Sequence, residues 1–324
     1  MFVGLDVHKN YLQAAVVDER GILLKEQRIP NDIREIEKFF ADMDDAKIVI
    51  ESSSAWYHIY ECLSKRFRVI LSNPLKTKAI ASAKVKTDRL DALTLADLLR
   101  GGYIAESYVP PRRIMDLRGM VRHRAGLVKI RTSLKNRIHA HLLMHGVKIE
   151  GTPFTRAYMD KLRVIHDYRI DGYLNVIDAL NREIDQVSRK ITVEAKDDEY
   201  AQLLRTIPGV GYYSALLIIS EIGDIERFPD SAHLCSYVGL TPSTHSSGGV
   251  TYHGNITKTG SKHLRWILME CTQTHIRTEP DSSITRFYNR LVKKKGKAKA
   301  TVAASMKLLK VIYWVLMEKR PYHS

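Results

Sequence analysis

The chain has 324 residues and carries 51 Lys and Arg against 36 Asp and Glu, a formal net charge of +15. A hydrophobic fraction of 44% excludes wholesale disorder and allows two or three domains with real cores, while three scattered cysteines (Cys62, Cys235, Cys271) exclude a disulfide framework and a Cys-x-x-Cys zinc site. The excess of positive charge favours a polyanionic partner, nucleic acid first, with a basic soluble protein lacking such a partner as the alternative on charge alone.

The first hundred residues alternate strand and helix. Strands are predicted at 1–8, 10–18 and 21–29, and then a helix over NDIREIEKFFADM, capped by Asn31 or Asp32. AKIVIE is a short apolar strand ending on Glu51, SSAWYHIYECLSKR a helix, and RVILSN a further strand before Pro74. KTKAIASAKVKTDRLDALTLADLLRGG is helical in its second half and stops at Gly101-Gly102. This order predicts an α/β layer with a mixed sheet.

From Arg112 to Arg137 the chain is strongly basic, and its apolar residues recur at helical spacing. With a second long helix over 173–195 it predicts a helical hairpin or coiled-coil arm, its basic face turned to phosphate or simply solvated. The last third opens with LLRTIPGVGYYSALLIISEIG and passes through a Gly/Ser/Thr-rich stretch, GLTPSTHSSGGVTYHGNITKTGSK, expected as a loop. The helix HLRWILMECTQTHI, the Lys cluster VKKKGKAK and an apolar final helix follow. The expected domains are 1–108, an arm at 109–199 and 200–324. No apolar run approaches the roughly 18–20 residues that span a membrane, and no signal peptide is read at the start, so a cytoplasmic location without membrane contact is expected.

Asp6 is the odd residue of the first strand, where a carboxylate costs several kcal/mol without a partner. Glu51 ends the KIVIE strand, and Asp88 and Asp91 share a helix face three residues apart. Four carboxylates in so basic a chain form a site for a hard divalent cation such as Mg²⁺, Mn²⁺ being the alternative, and two such ions activate phosphoryl transfer. That layout is that of an RNase H-like nuclease core. Singly, each acid also fits a structural role: Glu51 as a helix cap, Asp88 and Asp91 as surface acids. Asp97 is read as surface. The four acids are expected to lie together with few hydrogen-bond partners, Asp6 having no Lys or Arg partner far from the other three.

Gly209 and Gly211 in IPGVG have the shape of a helix-hairpin-helix turn, whose backbone N–H groups can hold a DNA phosphate, or of an ordinary turn between helices. Ser246 and Ser247 precede Gly248-Gly249, with Lys258, Lys262, His263 and Arg265 following; read alone, this is a flexible loop more readily than a nucleophile. Arg113, Arg122, Arg124 and Arg131 are candidate nucleic-acid contacts. His139, His141 and His145 have no acidic or Cys partner nearby in sequence and are not expected to bind zinc.

Together, GLDVHKNYLQAAVVD, IVIESSSAWYH and KTDRLDALTLADLL resemble the N-terminal DEDD domain of bacterial insertion-sequence transposases, a family that includes the Piv-type DNA invertases. LLRTIPGVGYYSALLIISEIGDIERF and YVGLTPSTHSSGGVTYHGNITKTGSKHLRWIL resemble its C-terminal transposase domain, so the likeness spans nearly the whole chain. The resemblance implies a RuvC-like domain whose Asp6, Glu51, Asp88 and Asp91 bind Mg²⁺. It also implies a mostly helical C-terminal domain whose serine, Ser247 or its neighbour Ser246, attacks DNA to form a covalent link. Further implications are a homo-oligomer, dimer or tetramer, with composite active sites and a structured RNA that guides the protein to DNA. The expected activity is that of a DNA transposase or recombinase; a RuvC-like endonuclease using metal-activated water and a non-catalytic nucleic-acid-binding protein are the rivals.

Overall fold

Strand β1 (Phe2–Val7) is buried from Val3 to Val7, as befits the centre of a sheet. In this computed structural model the described residues are 1–53, 55–74, 76–77, 87–247 and 250–323, without the side chains of His245, Ser247, Val250, Thr251 and His253. Two compact units result, Met1–Val109 and Pro110–Ser324.

In the first unit β1 is flanked by β2 (Tyr11–Val17) and β4 (Lys47–Glu51), with β3 (Leu23–Pro30) and β5 (Arg68–Ser72) at the edges, in the order β3-β2-β1-β4-β5. The β1–β2 and β2–β3 pairs are antiparallel; β1–β4 and β4–β5 are parallel. It is therefore a mixed five-stranded sheet, and its strands fall where the apolar patterning put them. Helix α1 (Ile33–Phe40) is capped by Asp32, whose carboxylate accepts from the Arg34 N–H at 2.9 Å. With α2 (Trp56–Leu63) it covers one sheet face, where Val3, Leu5, Val7, Ile48 and Ile50 join Ile36, Phe40 and Ile59 in a common core.

Because side chains alternate along a strand, the other face carries Phe2, Gly4 and Asp6 from β1, and Lys47, Val49 and Glu51 from β4. Helix α3 (Asp88–Arg100) packs there through Leu95 and Leu99 against Val49. It lies so close that a Cβ on Gly4 would stand 2.0 Å from the Ala92 carbonyl oxygen and 2.7 Å from the Ala96 nitrogen. Residues 78–86 of the expected helical stretch lie outside the described residues.

The second unit begins with α4 (Arg112–Met144), followed by α5 (Arg156–Arg163) and α6 (Tyr168–Asp197). The start of α4 (Leu117, Val121) meets the end of α6 (Ile191, Ala195), and its far end (Ile138, Leu142) meets Ile170, Leu174 and Ile177. The two helices thus form an antiparallel hairpin. Helix α7 (Glu199–Arg205) leads into α8 (Tyr212–Ile222), every residue of which from Ser214 to Ile222 is buried. A helix apolar on all sides belongs at the centre of a core, and α9 (Ser231–Val238), α10 (Lys262–Thr278) and α11 (Ser283–Glu318) surround it.

Two expectations change here. The Gly/Ser/Thr-rich stretch is a β-hairpin, β6 (Pro242–Ser247) against β7 (Val250–Ile256), with Ser246 opposite Thr251 and Ser247 opposite Val250. A Gly-Gly pair between strand-compatible residues is itself a hairpin signal, outweighed in the sequence reading by the polar composition. Helix α11 also runs longer than its apolar stretch, 36 residues with non-helical backbone at Gly296. Contrary to the sequence reading, it contains an 18-residue window of mean hydropathy 1.5, long and apolar enough to cross a membrane, and half of that window is buried inside the protein. Leu308, Leu309, Ile312, Tyr313 and Leu316 supply that burial in the main core of the unit.

Candidate functional site

The acids converge at one end of the first unit's sheet. The β1–β4 ladder ends at the Leu5–Ile50 pair, so Asp6 and Glu51 are the next residues on neighbouring strands. On the same face, Asp88 and Asp91 occupy the first turn of α3, where Thr87 caps the helix by accepting from the Leu90 N–H at 3.3 Å. Acids in a first helical turn are stabilised by the helix dipole, so this position is both structurally favourable and aimed at Asp6.

Asp6 is buried and, among the described residues, pairs with His8 rather than with a Lys or Arg. Its Oδ2 lies 3.1 Å from His8 Nε2, which stands 3.5 Å from Asp88 Oδ2. The three donor atoms lie within 4.8 Å of one another. The Tyr11 hydroxyl donates to Asp88 Oδ2 at 2.7 Å, and the Arg28 guanidinium sits 3.5 Å over the Tyr11 ring. Asp6 and Asp88 are therefore better satisfied than expected, because β2 returns beside β1 and brings Tyr11 with it. Burial pushes the Asp6 carboxyl above the usual range, against the pull of His8, and the charges of Asp88 and Asp91 push it further. The Tyr11 hydrogen bond holds Asp88 below that range, and Asp88 in turn raises the Tyr11 phenol. Glu51 and Asp91 are half-buried. Asp97 accepts from Arg100 at 3.3 Å, farther along α3. Sequence reasoning missed His8, which it left at the end of the first predicted strand; its signal was a position two residues after an in-strand acid.

In the second unit Ser246 is exposed on β6, and Ser247 lies beside it in the ladder, its side chain outside the described residues, as are Gly248 and Gly249. Gly209 has φ +92°, and a Cβ there would stand 2.6 Å from the Cys271 carbonyl oxygen; this glycine lets the α7–α8 turn press on α10. Gly211 precedes α8, and its N–H donates to Ser214 Oγ at 2.8 Å.

The four arginines of α4 named as candidate contacts bond within their own unit. Arg122 grips the buried Glu221 with two hydrogen bonds of 2.7 and 2.8 Å, and Arg113 reaches the buried Asp198 at 2.9 Å. Arg124 donates to Ser188 at 2.7 Å and lies 4.3 Å over the Tyr213 ring; Arg131 donates to Asn181 at 2.7 Å. Burial would raise the Glu221 carboxyl, but the Arg122 hydrogen bonds and charge hold it below its usual range. Arg265 donates to the carbonyls of Val238, Thr259 and Gly260, tying α10 to the end of the hairpin; Lys258 and Lys262 are exposed nearby. His141 has an acidic partner that its sequence neighbourhood does not show, Asp167 at 3.0 Å.

One feature escaped the sequence reading. A groove of about 730 Å³ runs between α4 and the start of α10, lined by Arg124, Val128, Lys129, Arg137, His263 and Trp266 among others, with no acid in its wall. Lys129 and Arg137 recur on one face of α4 at helical spacing, and Trp266, 39% exposed, presents an aromatic ring on the opposite side.

Comparison with known proteins matches residues 3–146 to the IS110-type DEDD transposase family and residues 201–289 to the family described as transposase IS116/IS110/IS902. The transposase for insertion sequence element IS1111A of Coxiella burnetii is 25% identical over 339 aligned positions, covering 99% of this chain and 90% of the relative. The transposase for element IS1328 of Yersinia enterocolitica is 25% identical over 286 positions, 85% of this chain and 83% of the relative. A pilin gene-inverting protein of Moraxella lacunata is 25% identical over 340 positions, with 99% and 97% covered.

Proposed function

We infer that this chain, which belongs to the IS110/IS116 transposase family and so cuts and rejoins DNA, does so with a RuvC-like acidic centre and a serine nucleophile. The observation that carries the reading is the meeting of Asp6 and Asp88 at one sheet end, with Glu51 and Asp91 on the same face. Hard oxygen donors from a central strand, its neighbour and a helix suit a divalent cation such as Mg²⁺ or Mn²⁺. Asp6, Glu51, Asp88 and Asp91 would hold it; when bound, it supplies Lewis-acid stabilisation of charge on the scissile phosphate. Tyr11 fixes the Asp88 carboxylate through its hydroxyl, and Gly4 lets α3 bring that carboxylate close to β1.

Ser247, or Ser246 beside it, attacks phosphorus: its Oγ bonds to phosphorus, a DNA oxygen leaves, and a DNA hydroxyl later reverses the exchange. A homo-oligomer of two or four chains joins acids and serine from different subunits. A structured RNA from the element's ends pairs with donor and target DNA, so that base pairing reads sequence and protein reads backbone.

The test is incubation with a divalent cation, the element's flanking RNA and labelled DNA ends, followed by a denaturing gel. A protein–DNA adduct is expected that disappears in Ser247→Ala and survives in Ser246→Ala. The opposite pattern moves the nucleophile to Ser246. Cleavage without any adduct favours the rival endonuclease that uses metal-activated water.

The groove between α4 and α10 is the surface we assign to the nucleic-acid backbone, with Trp266 as a stacking platform for an unpaired base. Removing Lys129 and Arg137 together is expected to weaken DNA or RNA binding across sequences. On duplex DNA the log–log salt slope should fall by about 0.9 for each phosphate that these side chains no longer neutralise. Unchanged affinity and slope, measured by fluorescence anisotropy across a salt series, would remove the groove from the interface.

A further inference from the structure

We propose that His8 is a nitrogen ligand of the divalent cation and gives the site a preference for Mn²⁺ and Co²⁺ over Mg²⁺. The inference rests on the acidic-centre reading above and adds a ligand and a selectivity to it. His8 Nε2 stands 3.1 Å from Asp6 Oδ2 and 3.5 Å from Asp88 Oδ2, and the whole donor set fits within 4.8 Å. Adjacent ligands of a six-coordinate ion with bonds of about 2.1 Å are separated by about 3 Å. The imidazole therefore already stands near the spacing of a neighbouring ligand to each of the two carboxylates.

The backbone that carries the imidazole is also held in place. The His8 backbone N–H donates to the Tyr11 carbonyl at 2.9 Å, and Asn31 Nδ2 donates to the His8 backbone carbonyl at 3.0 Å. Its ring packs on Tyr11 with centroids 4.7 Å apart, and the Tyr11 hydroxyl binds the same Asp88 oxygen that His8 approaches. Tyr11 is thus a positioning residue for both. The ring remains 38% exposed, so the nitrogen is reachable from solvent. Four carboxylates alone suit hard ions such as Mg²⁺ and Ca²⁺, whereas an imidazole donor shifts affinity toward the transition metals.

The experiment uses the full-length protein and Mn²⁺ as the probe, without DNA. Bound Mn²⁺ is titrated by electron paramagnetic resonance, its nitrogen coupling is read by pulsed methods, and Mg²⁺ is measured by competition. Wild type is expected to show imidazole nitrogen coupling. His8→Gln, which keeps a hydrogen-bonding side chain beside Asp6, is expected to lose that coupling. Its Mn²⁺ affinity should fall about tenfold, with a change in Mg²⁺ affinity of less than about threefold. A parallel melting curve for His8→Gln confirms that it is folded. Asp6→Asn is the control for the acidic centre. If Asp6→Asn abolishes Mn²⁺ binding but wild type shows no nitrogen coupling, or His8→Gln retains it, ligation by His8 is overturned and the centre stands. If Asp6→Asn leaves Mn²⁺ binding intact, the centre itself is misassigned and this inference falls with it.

Discussion

Asp6→Asn is expected to slow DNA strand cleavage by about a thousandfold or more without unfolding the protein. A metal-held phosphoryl-transfer site contributes several kcal/mol to the transition state, and roughly 4 kcal/mol corresponds to three powers of ten. Asparagine has the shape of aspartate but lacks the charge that attracts a cation. The stability of the metal-free protein should not suffer. Burial raises the Asp6 carboxyl above its usual range, so in the fold its charged form is disfavoured. An amide at that position relieves the cost, and His8 remains available as a hydrogen-bond partner. Single-turnover cleavage and calorimetry together check this: a thermal midpoint at or above wild type is expected alongside the lost activity. Cleavage within tenfold of wild type would remove Asp6 from the catalytic centre.

The second large effect lies at a residue with no functional group. Gly4→Ala is expected to destabilise the first unit by about 3 kcal/mol, the upper range for overpacking, and to reduce cleavage on the order of a hundredfold. Its added Cβ would stand 2.0 Å from the Ala92 carbonyl oxygen, 2.7 Å from the Ala96 nitrogen and 3.0 Å from the Leu95 Cβ. Two of these three are backbone atoms of α3, so no rotamer change relieves the clash; the helix has to move by about 1 Å or more to restore ordinary contact. Asp88 and Asp91 sit at the start of that helix and Asp6 two residues after Gly4. Moving α3 therefore separates the carboxylates, and a misplacement of that size costs a site its geometry. Chemical denaturation reports the stability term and single-turnover kinetics the activity term. A variant that melts and cleaves like wild type would show that α3 does not rest on β1 as closely as described.

Strands β1, β2 and β4 were legible as short apolar runs because they are buried almost throughout, and strand geometry sends their successive side chains to opposite faces. Val3, Leu5 and Val7 have to share a face, which leaves Gly4 and Asp6 for the other. The same period puts Val49 and Glu51 opposite Ile48 and Ile50. Asp6 drew notice by violating strand propensity, and such local conflicts between sequence and structure tend to mark function. The hairpin of β6 and β7 was less legible, since its polar residues resemble a loop and strand pairing, rather than burial, defines it.

What the sequence by itself determined, then, is what depends on neighbours a few residues away: the order of strands and helices in the first unit, a helix cap at Asn31 or Asp32, the shared helix face of Asp88 and Asp91, and the excess of positive charge. What only the tertiary structure decided depends on which distant atoms meet. Arg122 and Arg113 face the buried Glu221 and Asp198 across the fold, a pairing that no spacing along the chain encodes. Lys129 and Arg137 share a groove with Trp266 because α4 and α10 happen to approach there. His8 joins Asp6 and Asp88 because a turn of the chain and the close rest of α3 on Gly4 bring donors from β1, its exit and α3 within 4.8 Å. Short-range patterning specifies elements; the geometry of a site is set by packing, which acts between residues far apart in sequence.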